Sequence, residues 1–338
     1  MRDWTRHKRL CVPVMVKDFG QKGRGLVASK NFEVGDIIFK DTSVVNMNKA
    51  RFVLSMQRST EEYIKVVGEI YTQISTLSET DQKDFFDLSR SAKVDSFLSQ
   101  HFNGSIPERD KRAYSIFENN LIASCDNKEG HLYLKGSLVN HSCDPNTLWD
   151  SPDLDDKKIE LRAVKTIKFG EEVTTSYLDP YIAILGKRNE KMLELKNWNF
   201  QCKCESCLHP ENEQIKKFRG EWNKIKLKEE KLNEKLNKLN EQEKLVQAIN
   251  ILDHHVNFII KLDKPFLSLN YSSLKRYCQL ADRGLEAGRH DLQKKGMSLL
   301  KKYLYTDFDK LLLRVGWNDE KRMLMNKIYS TIMDGQNS

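Results

Sequence analysis

Three cysteines lie close together in the stretch CKCESC, where Cys202, Cys204 and Cys207 follow the spacing C-x-C-x2-C. Three thiolates at this spacing can bind one tetrahedral ion, and Zn²⁺ is the usual ion for an all-sulfur site in a reducing compartment. The N-terminal stretch MRDWTRHKRL lacks the apolar run of a secretion signal, so we expect the seven cysteines of the chain to stay reduced. The sequence therefore predicts a structural zinc site rather than disulfides.

A tetrahedral zinc site needs a fourth ligand. The candidates are Cys143, His209 and His141, with Cys11, Cys125 and Cys278 as more remote possibilities. Cys143 is preferred because it lies in the stretch NHSCDPN, among polar and turn-forming residues where an ordinary core cysteine would be out of place. A metal shared by Cys143 and CKCESC would close a loop of about sixty residues and hold two distant segments together. The alternative is that Cys143 is only a small buried residue.

The elements that must position these cysteines alternate between strand and helix patterns. The stretches CVPVMVK and GLVASKNFEVGDIIFKDTSVV, the second with a turn at Gly35 and Asp36, predict β structure from residue 11 to 45. Apolar residues at helical spacing predict a helical insert at about residues 51–123. Strand patterns return between residues 131 and 177 in LYLKGSLVN, IELRAVKTI and EEVTTSYL. Strands far apart in sequence must then pair in space, which predicts an α+β fold.

The chain after Cys207 is predicted to be helical to its end. Apolar residues three, four or seven positions apart form one face of a long helix: Ile215, Phe218, Trp222, Ile225, Leu232, Leu236 and Leu239. Further helices are predicted near residues 271–289, 291–304 and 319–334. Since 338 residues exceed the usual span of one core, we predict two domains, residues 1–207 and a helical C-terminal domain at 211–338.

Composition indicates a soluble protein with a mild positive charge. Hydrophobic residues make up 39% and charged residues 31%, and the formal net charge is +8. No apolar run approaches the roughly 20 residues that cross a bilayer, so we expect no membrane span and a cytoplasmic or nuclear location. The charge could favour an acidic partner such as a nucleosome surface or RNA. We expect no direct nucleic-acid ligand, because ten basic and eight acidic residues nearly cancel between 211 and 247, and basic and aromatic residues do not interleave around 198–209.

Four stretches, in this order, resemble the SET domain of protein lysine methyltransferases with its post-SET cysteine cluster: GRGL at 23–26, NHSCDPN at 140–146, GEEVTTSY at 170–177 and WNFQCKCESC at 198–207. The resemblance covers about residues 12–207, with a post-SET segment at about 198–209. The helical insert, with LSETDQKDFFDLS, and the helical tail are similar to the SET-and-MYND branch. That branch normally carries a MYND zinc finger inside the insert, but residues 46–124 contain no cysteine, so a MYND finger is excluded here.

The resemblance implies S-adenosylmethionine as the methyl donor and assigns residues to its binding. Lys22 or Arg24 would reach its carboxylate, and the turn at Gly23 and Gly25 would let the backbone approach its methionine end. The other cofactor-binding residues that the resemblance implies are Asn120, Asn140, His141, Tyr177, Trp198 and Phe200. The last two offer flat apolar surfaces to the adenine ring and to the lysine channel, although ordinary core packing is the alternative for both.

Tyr177 is the residue that the resemblance places in catalysis. The reaction is an in-line displacement by a neutral lysine nitrogen, and a lysine pKa of about 10.4 leaves only about one molecule in 2500 neutral at pH 7. A nearby sulfonium charge and a dry channel lower that pKa. The Tyr177 hydroxyl would orient the reacting atoms, because a phenol with a pKa of about 10 is a weak general base. The alternative is a strand tyrosine that caps the core.

Two functions of different classes follow. The first is a zinc-containing, S-adenosylmethionine-dependent protein-lysine N-methyltransferase, which we expect to be monomeric and to act on a histone or another protein with an acceptor lysine. The second is a SET-fold interaction scaffold without catalysis, whose helical tail of about 130 residues binds partners. Binding of the cofactor to a folded, zinc-loaded sample distinguishes the two.

Overall fold

The computed structural model describes residues 13–48, 59–102, 104–123, 129–150, 157–198, 200–209, 213–235, 241–262, 280, 283–284 and 286–303. The chain divides into two compact units, one formed by residues 1–178 and 188–208 and the other by residues 179–187 and 209–338. The short segment 179–187 therefore groups with the second unit, whereas the sequence analysis placed all of residues 1–207 in one domain. Among the helices within these ranges, none is both long enough and apolar enough to cross a membrane.

Short strands build the first unit, and within its described part they form three small sheets. The strands are β1 Val14–Asp18, β2 Arg24–Ala28, β3 Ile37–Thr42, β4 Val45–Asn48, β5 Ile122–Ala123, β6 Glu129–Leu132, β7 Asn140–His141, β8 Thr147–Asp150, β9 Lys158–Ala163 and β10 Glu172–Thr175. Their orders are β1-β2-β10-β7, β3-β9-β8 and β4-β6-β5. The strand pairs therefore join segments on either side of the helical insert.

The pairing of β7 with β10 matters most for the site. These two strands run parallel, with Asn140 opposite Thr174 and His141 opposite Thr175. The ladder continues past the strands, because the backbone N–H of Ser142 donates to the carbonyl of Thr175 at 2.9 Å. Since β10 also pairs with β2, the stretches GRGL, NHSCDPN and GEEVTTSY meet in one sheet.

Four helices form the described part of the insert: α1 Thr60–Ser75, α2 Glu79–Phe86, α3 Ala92–His101 and α4 Glu108–Asn120. The first three begin at serine caps, since Ser59, Ser78 and Ser91 each accept a hydrogen bond from a backbone N–H three residues on. The helices pack their apolar faces together and against β4 and β6 in one core. The insert therefore shares a core with the strands that flank it.

A second core lies between the other two sheets and includes Phe32, Ile38, Leu161 and Val173. At its edge Asp41 of β3 accepts hydrogen bonds from the backbone N–H groups of Lys135 and Gly136, at 2.9 and 3.0 Å. Burial raises the pKa of the Asp41 carboxyl. These bonds hold the 3₁₀ turn Gly136–Leu138 directly before NHSCDPN, so β3 helps to position that stretch.

The remaining described helices are α5 Pro180–Leu185, α6 Arg188–Leu195, α7 Glu205–Leu208, α8 Glu213–Lys235, α9 Glu241–Lys261 and α10 His290–Tyr303. Helices α6 and α7 belong to the first unit and the others to the second. In the second unit Trp222 of α8 stacks on Tyr181 of α5 with ring centroids 4.0 Å apart, and on Phe258 of α9 at 5.3 Å. Aromatic packing thus joins α5, α8 and α9 into one core.

The predicted α+β fold is confirmed, with strands on both sides of a helical insert and helices in the C-terminal part. Two details differ from the sequence interpretation. The insert region ends in strand β5 rather than in a helix, and the stretch LYLKGSLVN contains a 3₁₀ turn between two short strands. The long helix predicted through Leu239 is present as α8 up to Lys235, and residues 236–240 lie outside the described part. The predicted helix at 291–304 matches α10, whereas that at 319–334 lies outside the described residues.

Candidate active site and metal centre

The structure brings Cys143 together with Cys202, Cys204 and Cys207. All four sulfur atoms lie within 4.8 Å of one another. The Cys143 sulfur is 4.0 Å from that of Cys202 and 3.5 Å from that of Cys207. In a tetrahedral zinc site with Zn–S bonds of about 2.3 Å, the sulfur atoms are about 3.8 Å apart. The spacing of the thiols therefore fits a single zinc ion, and the role of these residues as its ligands stays a prediction.

The thiols of the cluster shift one another's pKa. Hydrogen bonds from the Cys143 and Cys202 thiols lower the pKa of the Cys204 thiol. Hydrogen bonding to Cys202 and Cys204 raises the pKa of the Cys143 thiol, and burial raises that of Cys207 to about 12. Of these three thiols, Cys204 is thus the one that ionises most readily.

Local backbone structure holds the three downstream cysteines in place. The backbone N–H of Cys204 donates to the Cys202 sulfur at 3.5 Å, and the N–H of Cys207 donates to the Cys204 carbonyl at 2.8 Å. Helix α6 supports this loop, because Arg188 donates to the Cys207 carbonyl at 3.0 Å and the buried Lys191 lies 3.5 Å from the Ser206 hydroxyl. Neither α6 residue was selected from the sequence, since nothing in their spacing relates them to cysteines eleven or more positions away.

The other ligand candidates have different positions. His141 is buried beside the cluster but contacts it only through Cys143, and His209 is exposed. Cys11, Cys125 and Cys278 lie outside the described residues. Of the candidates that the structure describes, Cys143 is thus the one that shares the four-sulfur cluster with CKCESC.

Tyr177 lies just past the end of β10, and its hydroxyl donates to the carbonyl of Val139 at 2.8 Å. Its ring lies 5.3 Å from that of Trp198 and 6.3 Å from that of Phe200, measured between centroids. Burial, followed by the nearby charge of Glu172, raises the pKa of the Tyr177 phenol. The side chain is therefore a neutral hydroxyl with a fixed direction, which suits positioning better than proton abstraction.

His141 is almost fully buried, and both of its ring nitrogens have partners. The backbone N–H of Tyr177 donates to Nδ1 at 3.0 Å, while Nε2 lies 3.3 Å from the Cys143 sulfur. The ring is also 5.3 Å from the Tyr177 ring and 6.0 Å from the Phe200 ring. Burial lowers the pKa of His141 to about 4, so the imidazole is neutral at physiological pH.

Asn140 of β7 and Glu172 of β10, in the same sheet, form a polar group with Lys22. The Asn140 amide donates to one Glu172 carboxylate oxygen at 3.0 Å, and the Lys22 ammonium lies 2.5 Å from the other. Asn140 and Lys22 were predicted from the sequence, but Glu172 was not. The pairing of Glu172 with residues 32 and 150 positions away carries no local signal, which is why it was missed.

Two glycines shape the loop that faces Asn140. Gly23 has φ of 76°, a value that side chains disfavour, and it ends the 3₁₀ turn Gly20–Lys22. Gly25 is in close contact with its neighbours, since an added Cβ would lie 2.3 Å from the Asn140 amide nitrogen and 2.9 Å from the Phe19 ring. The glycines of KGRGL therefore allow the backbone to approach Asn140 closely.

The side chains of Arg24 and Asn120 bind backbone carbonyls that lie close together in sequence. The Arg24 guanidinium donates to the carbonyl of Asp87, and the Asn120 amide donates to the carbonyl of Ser89 at 2.8 Å. Both side chains thus hold the segment that follows α2 of the insert. Their predicted contact with the cofactor stays a prediction.

Asn146, the last residue of NHSCDPN, was not selected from the sequence. Its side-chain oxygen accepts from the Thr174 N–H, and its amide donates to the Glu172 carbonyl, both at 2.9 Å. These bonds clamp the backbone of β10 on either side of Val173. Because Tyr177 and Glu172 belong to the same stretch, Asn146 positions both.

These features define a class of protein. Residues 23–178 match the model of the SET domain family. This part of the chain thus matches a SET domain, and the resemblance to SET domains predicted from GRGL, NHSCDPN and GEEVTTSY, which lie within it, is confirmed.

Similar curated proteins carry lysine-methyltransferase and SET-and-MYND names. The chain is 28% identical over 188 residues to the histone-lysine N-methyltransferase set5 of Schizosaccharomyces pombe. The matched residues are 55% of this chain and 47% of that protein. It is 26% identical over 220 residues to the N-lysine methyltransferase SMYD2 of Homo sapiens, 63% of this chain and 45% of that protein. A SET and MYND domain-containing protein of Dictyostelium discoideum is 37% identical over 78 residues, 23% of this chain and 21% of that protein. The chain thus spans less than half of the length of these relatives.

Solved structures with similar chains include Rubisco LSMT bound to AdoMet, with a TM-score of 0.34 and 15% identity over 96% of this chain and 88% of that one. Another is the SET domain of LSMT bound to lysine and AdoHcy, with a TM-score of 0.32 and 14% identity over 97% of this chain and 88% of that one.

Proposed function

We propose that this chain is an S-adenosylmethionine-dependent protein-lysine N-methyltransferase that acts on a histone or another protein. The observation that supports this most directly is the position of Tyr177. Tyr177 follows the end of β10, and its hydroxyl donates to Val139, directly before Asn140 and His141. Its ring lies against those of Trp198 and Phe200. The names of the relatives set5 and SMYD2 support the same activity.

The chemistry assigns a distinct task to each group of residues. When bound, S-adenosylmethionine supplies a methyl group on a sulfonium, so that the lone pair of a lysine nitrogen forms the N–C bond while the C–S bond breaks. The lysine must be neutral, and its proton passes to solvent before transfer. Trp198 and Phe200 keep the surroundings of the lysine apolar, which lowers its pKa. Tyr177 orients the nitrogen through its hydroxyl.

Asn140 and Lys22 are the residues we assign to the amino-acid end of the donor. Because the Asn140 amide donates to Glu172, its side-chain oxygen is left to accept from an ammonium group. The close approach of Gly25 keeps Asn140 in this orientation. Lys22 supplies the positive charge near a carboxylate, and its partner Glu172 fixes where that charge lies.

The four cysteines would hold a structural Zn²⁺. The spacing of their sulfur atoms supports this assignment. With four sulfur ligands the site would be closed, so the ion would have no open position for a substrate and would act by holding residue 143 to the segment at 202–207. The segment that carries Trp198 and Phe200 leads directly into that cluster.

The test is transfer of a labelled methyl group to a proteome extract. Wild-type protein is compared with Tyr177→Phe and with Tyr71→Phe, a matched change on helix α1, where Tyr71 packs against Arg109. We expect labelling by the wild type and by Tyr71→Phe, and strong loss with Tyr177→Phe. Equal labelling by all three would remove Tyr177 from the mechanism. If calorimetry finds no cofactor binding to a folded, zinc-loaded sample, the non-catalytic scaffold is favoured instead.

A further inference from the structure

His141 lies between the four-cysteine cluster and the backbone of Tyr177. Its Nδ1 atom is 3.0 Å from the Tyr177 nitrogen, and its Nε2 atom is 3.3 Å from the Cys143 sulfur. The residue is only 3% exposed, so water does not compete for these nitrogens. A single imidazole ring therefore joins a candidate metal ligand to the residue that we place at the reacting atoms.

The hydrogen-bond directions follow from one fixed donor. A backbone N–H can only donate, so the Nδ1 atom facing Tyr177 must be the acceptor. In the neutral imidazole the proton is then on Nε2, which faces the Cys143 sulfur. The Nε2–H group therefore donates to that sulfur, and the tautomer of the ring is set by the main chain.

We propose that His141 is a positioning residue that couples the cysteine cluster to Tyr177, rather than a residue that acts only on the cofactor. This inference rests on the proposed function, because it assumes a metal on the cysteines and catalysis near Tyr177. An N–H···S bond fixes the direction of the Cys143 sulfur, as hydrogen-bond partners of metal ligands generally do. Because the N–H group is a donor, it also draws electron density from the sulfur. The Nδ1 bond fixes the backbone of the residue whose hydroxyl is anchored to Val139.

Two substitutions of His141 separate its hydrogen bond with Tyr177 from its hydrogen bond with Cys143. His141→Asn places an amide near the Nδ1 position, so it can still accept from Tyr177 but cannot reach Cys143. His141→Gln reaches toward the Nε2 position, so it can donate to the sulfur but does not replace Nδ1. His141→Phe keeps a flat ring against Tyr177 and Phe200 and removes both hydrogen bonds.

The first readout is the absorption spectrum of the cobalt-loaded protein, whose sulfur-to-cobalt bands report the electron density on the thiolates. We expect the bands of His141→Gln to match the wild type and those of His141→Asn and His141→Phe to shift. Metal affinity, measured by competition with a chelator, should fall about tenfold or more in the last two variants. The second readout is the amide resonance of Tyr177, which should move in His141→Gln and His141→Phe but stay in place in His141→Asn.

Nitrogen-15 resonances of His141 in the cobalt-free, zinc-loaded wild type test the inference even if a variant fails to fold. We expect the resonances to show an Nδ1 of His141 without a proton and an Nε2 with one. A proton on Nδ1 overturns the inference, as do variants that all keep the wild-type cobalt spectrum and metal affinity. Protein that binds neither metal overturns it together with the zinc site, whereas normal metal coupling without methyl transfer removes only the proposed catalysis.

Discussion

The hydroxyl of Tyr177 donates to the backbone carbonyl of Val139, 38 positions earlier in the chain, at 2.8 Å. Val139 is followed directly by Asn140 and His141, so one hydrogen bond ties the candidate catalytic phenol to the strand that carries two candidate cofactor-binding residues. A carbonyl oxygen can only accept a hydrogen bond, so the Tyr177 hydroxyl must be the donor at this contact. The oxygen is therefore held by the main chain, with its remaining lone pairs open to another donor.

Tyr177→Phe should remove this oxygen while leaving the ring in place. Loss of one hydrogen bond costs about 1 kcal/mol of unfolding free energy, which the fold should tolerate. The rate of methyl transfer should fall about 100-fold or more, because the lysine nitrogen loses the group that orients it. Single-turnover rates and thermal unfolding of the same samples separate the two effects. A large loss of stability with an unchanged rate would show that the hydroxyl is structural.

Removal of zinc should destabilise the first unit as well as stop activity. A metal present at 100 times its Kd stabilises the folded state by about 2.7 kcal/mol. For a domain of this size that corresponds to about 5 to 10 °C in Tm. Elemental analysis should find one zinc per chain in the wild type and little in Cys143→Ser, with Tm lowered in that variant and by a chelator.

Cys278→Ser is the control for the metal prediction, because that cysteine lies far in sequence from NHSCDPN and CKCESC. Its zinc content should equal that of the wild type. Full zinc content in Cys143→Ser would contradict the assignment of Cys143 as a ligand. A residue other than Cys143 would then be the fourth ligand beside Cys202, Cys204 and Cys207.

Gly25→Ala should disturb cofactor binding through Asn140. The added methyl carbon would lie 2.3 Å from the Asn140 amide nitrogen, so the amide must move away from Glu172. Overpacking of this kind costs about 1–3 kcal/mol. Affinity for S-adenosylmethionine, measured by calorimetry, should fall about tenfold or more.

The matched control is Gly220→Ala, since an added Cβ there meets nothing within 4 Å. Gly220 lies inside α8, where alanine is favoured over glycine by about 1 kcal/mol. This variant should therefore bind the cofactor like the wild type and unfold at a slightly higher temperature. Wild-type affinity in Gly25→Ala would show that the amide of Asn140 does not act on the cofactor.

Local patterns were sufficient to predict many of the elements of the fold. Alternating apolar residues mark β1, β9 and β10, and helical spacing marks α1. Cys202, Cys204 and Cys207 could be selected as candidate metal ligands because their C-x-C-x2-C spacing can be read directly from the sequence. Cys143 could be selected because a cysteine in a polar loop departs from the usual burial of that residue.

Contacts that depend on strand pairing could not be predicted in the same way. Glu172 meets Lys22 and Asn140 only because β10 pairs with both β2 and β7, and no local pattern specifies that register. The partners of His141 depend on the same pairing. The 3₁₀ turn at Gly136–Leu138 has a similar cause, because the side chain that caps it, Asp41, comes from a strand about 95 residues earlier.

High pH should destabilise the first unit through its buried tyrosines. Burial raises the pKa of Tyr63 to about 12 and raises those of Tyr114 and Tyr177 further, whereas an exposed phenol in the unfolded chain ionises near pH 10. A folded-state pKa above the unfolded value means that stability is intact below pH 10 and is lost as the pH rises beyond it. Unfolding free energies measured by denaturant at pH 8 to 11 should therefore decline above pH 10, with a shallower decline in Tyr63→Phe, while absorbance at 295 nm shows that these phenols ionise only as the protein unfolds. A flat profile, or ionisation of Tyr63 at pH 10 in the folded protein, would contradict the burial of these hydroxyls.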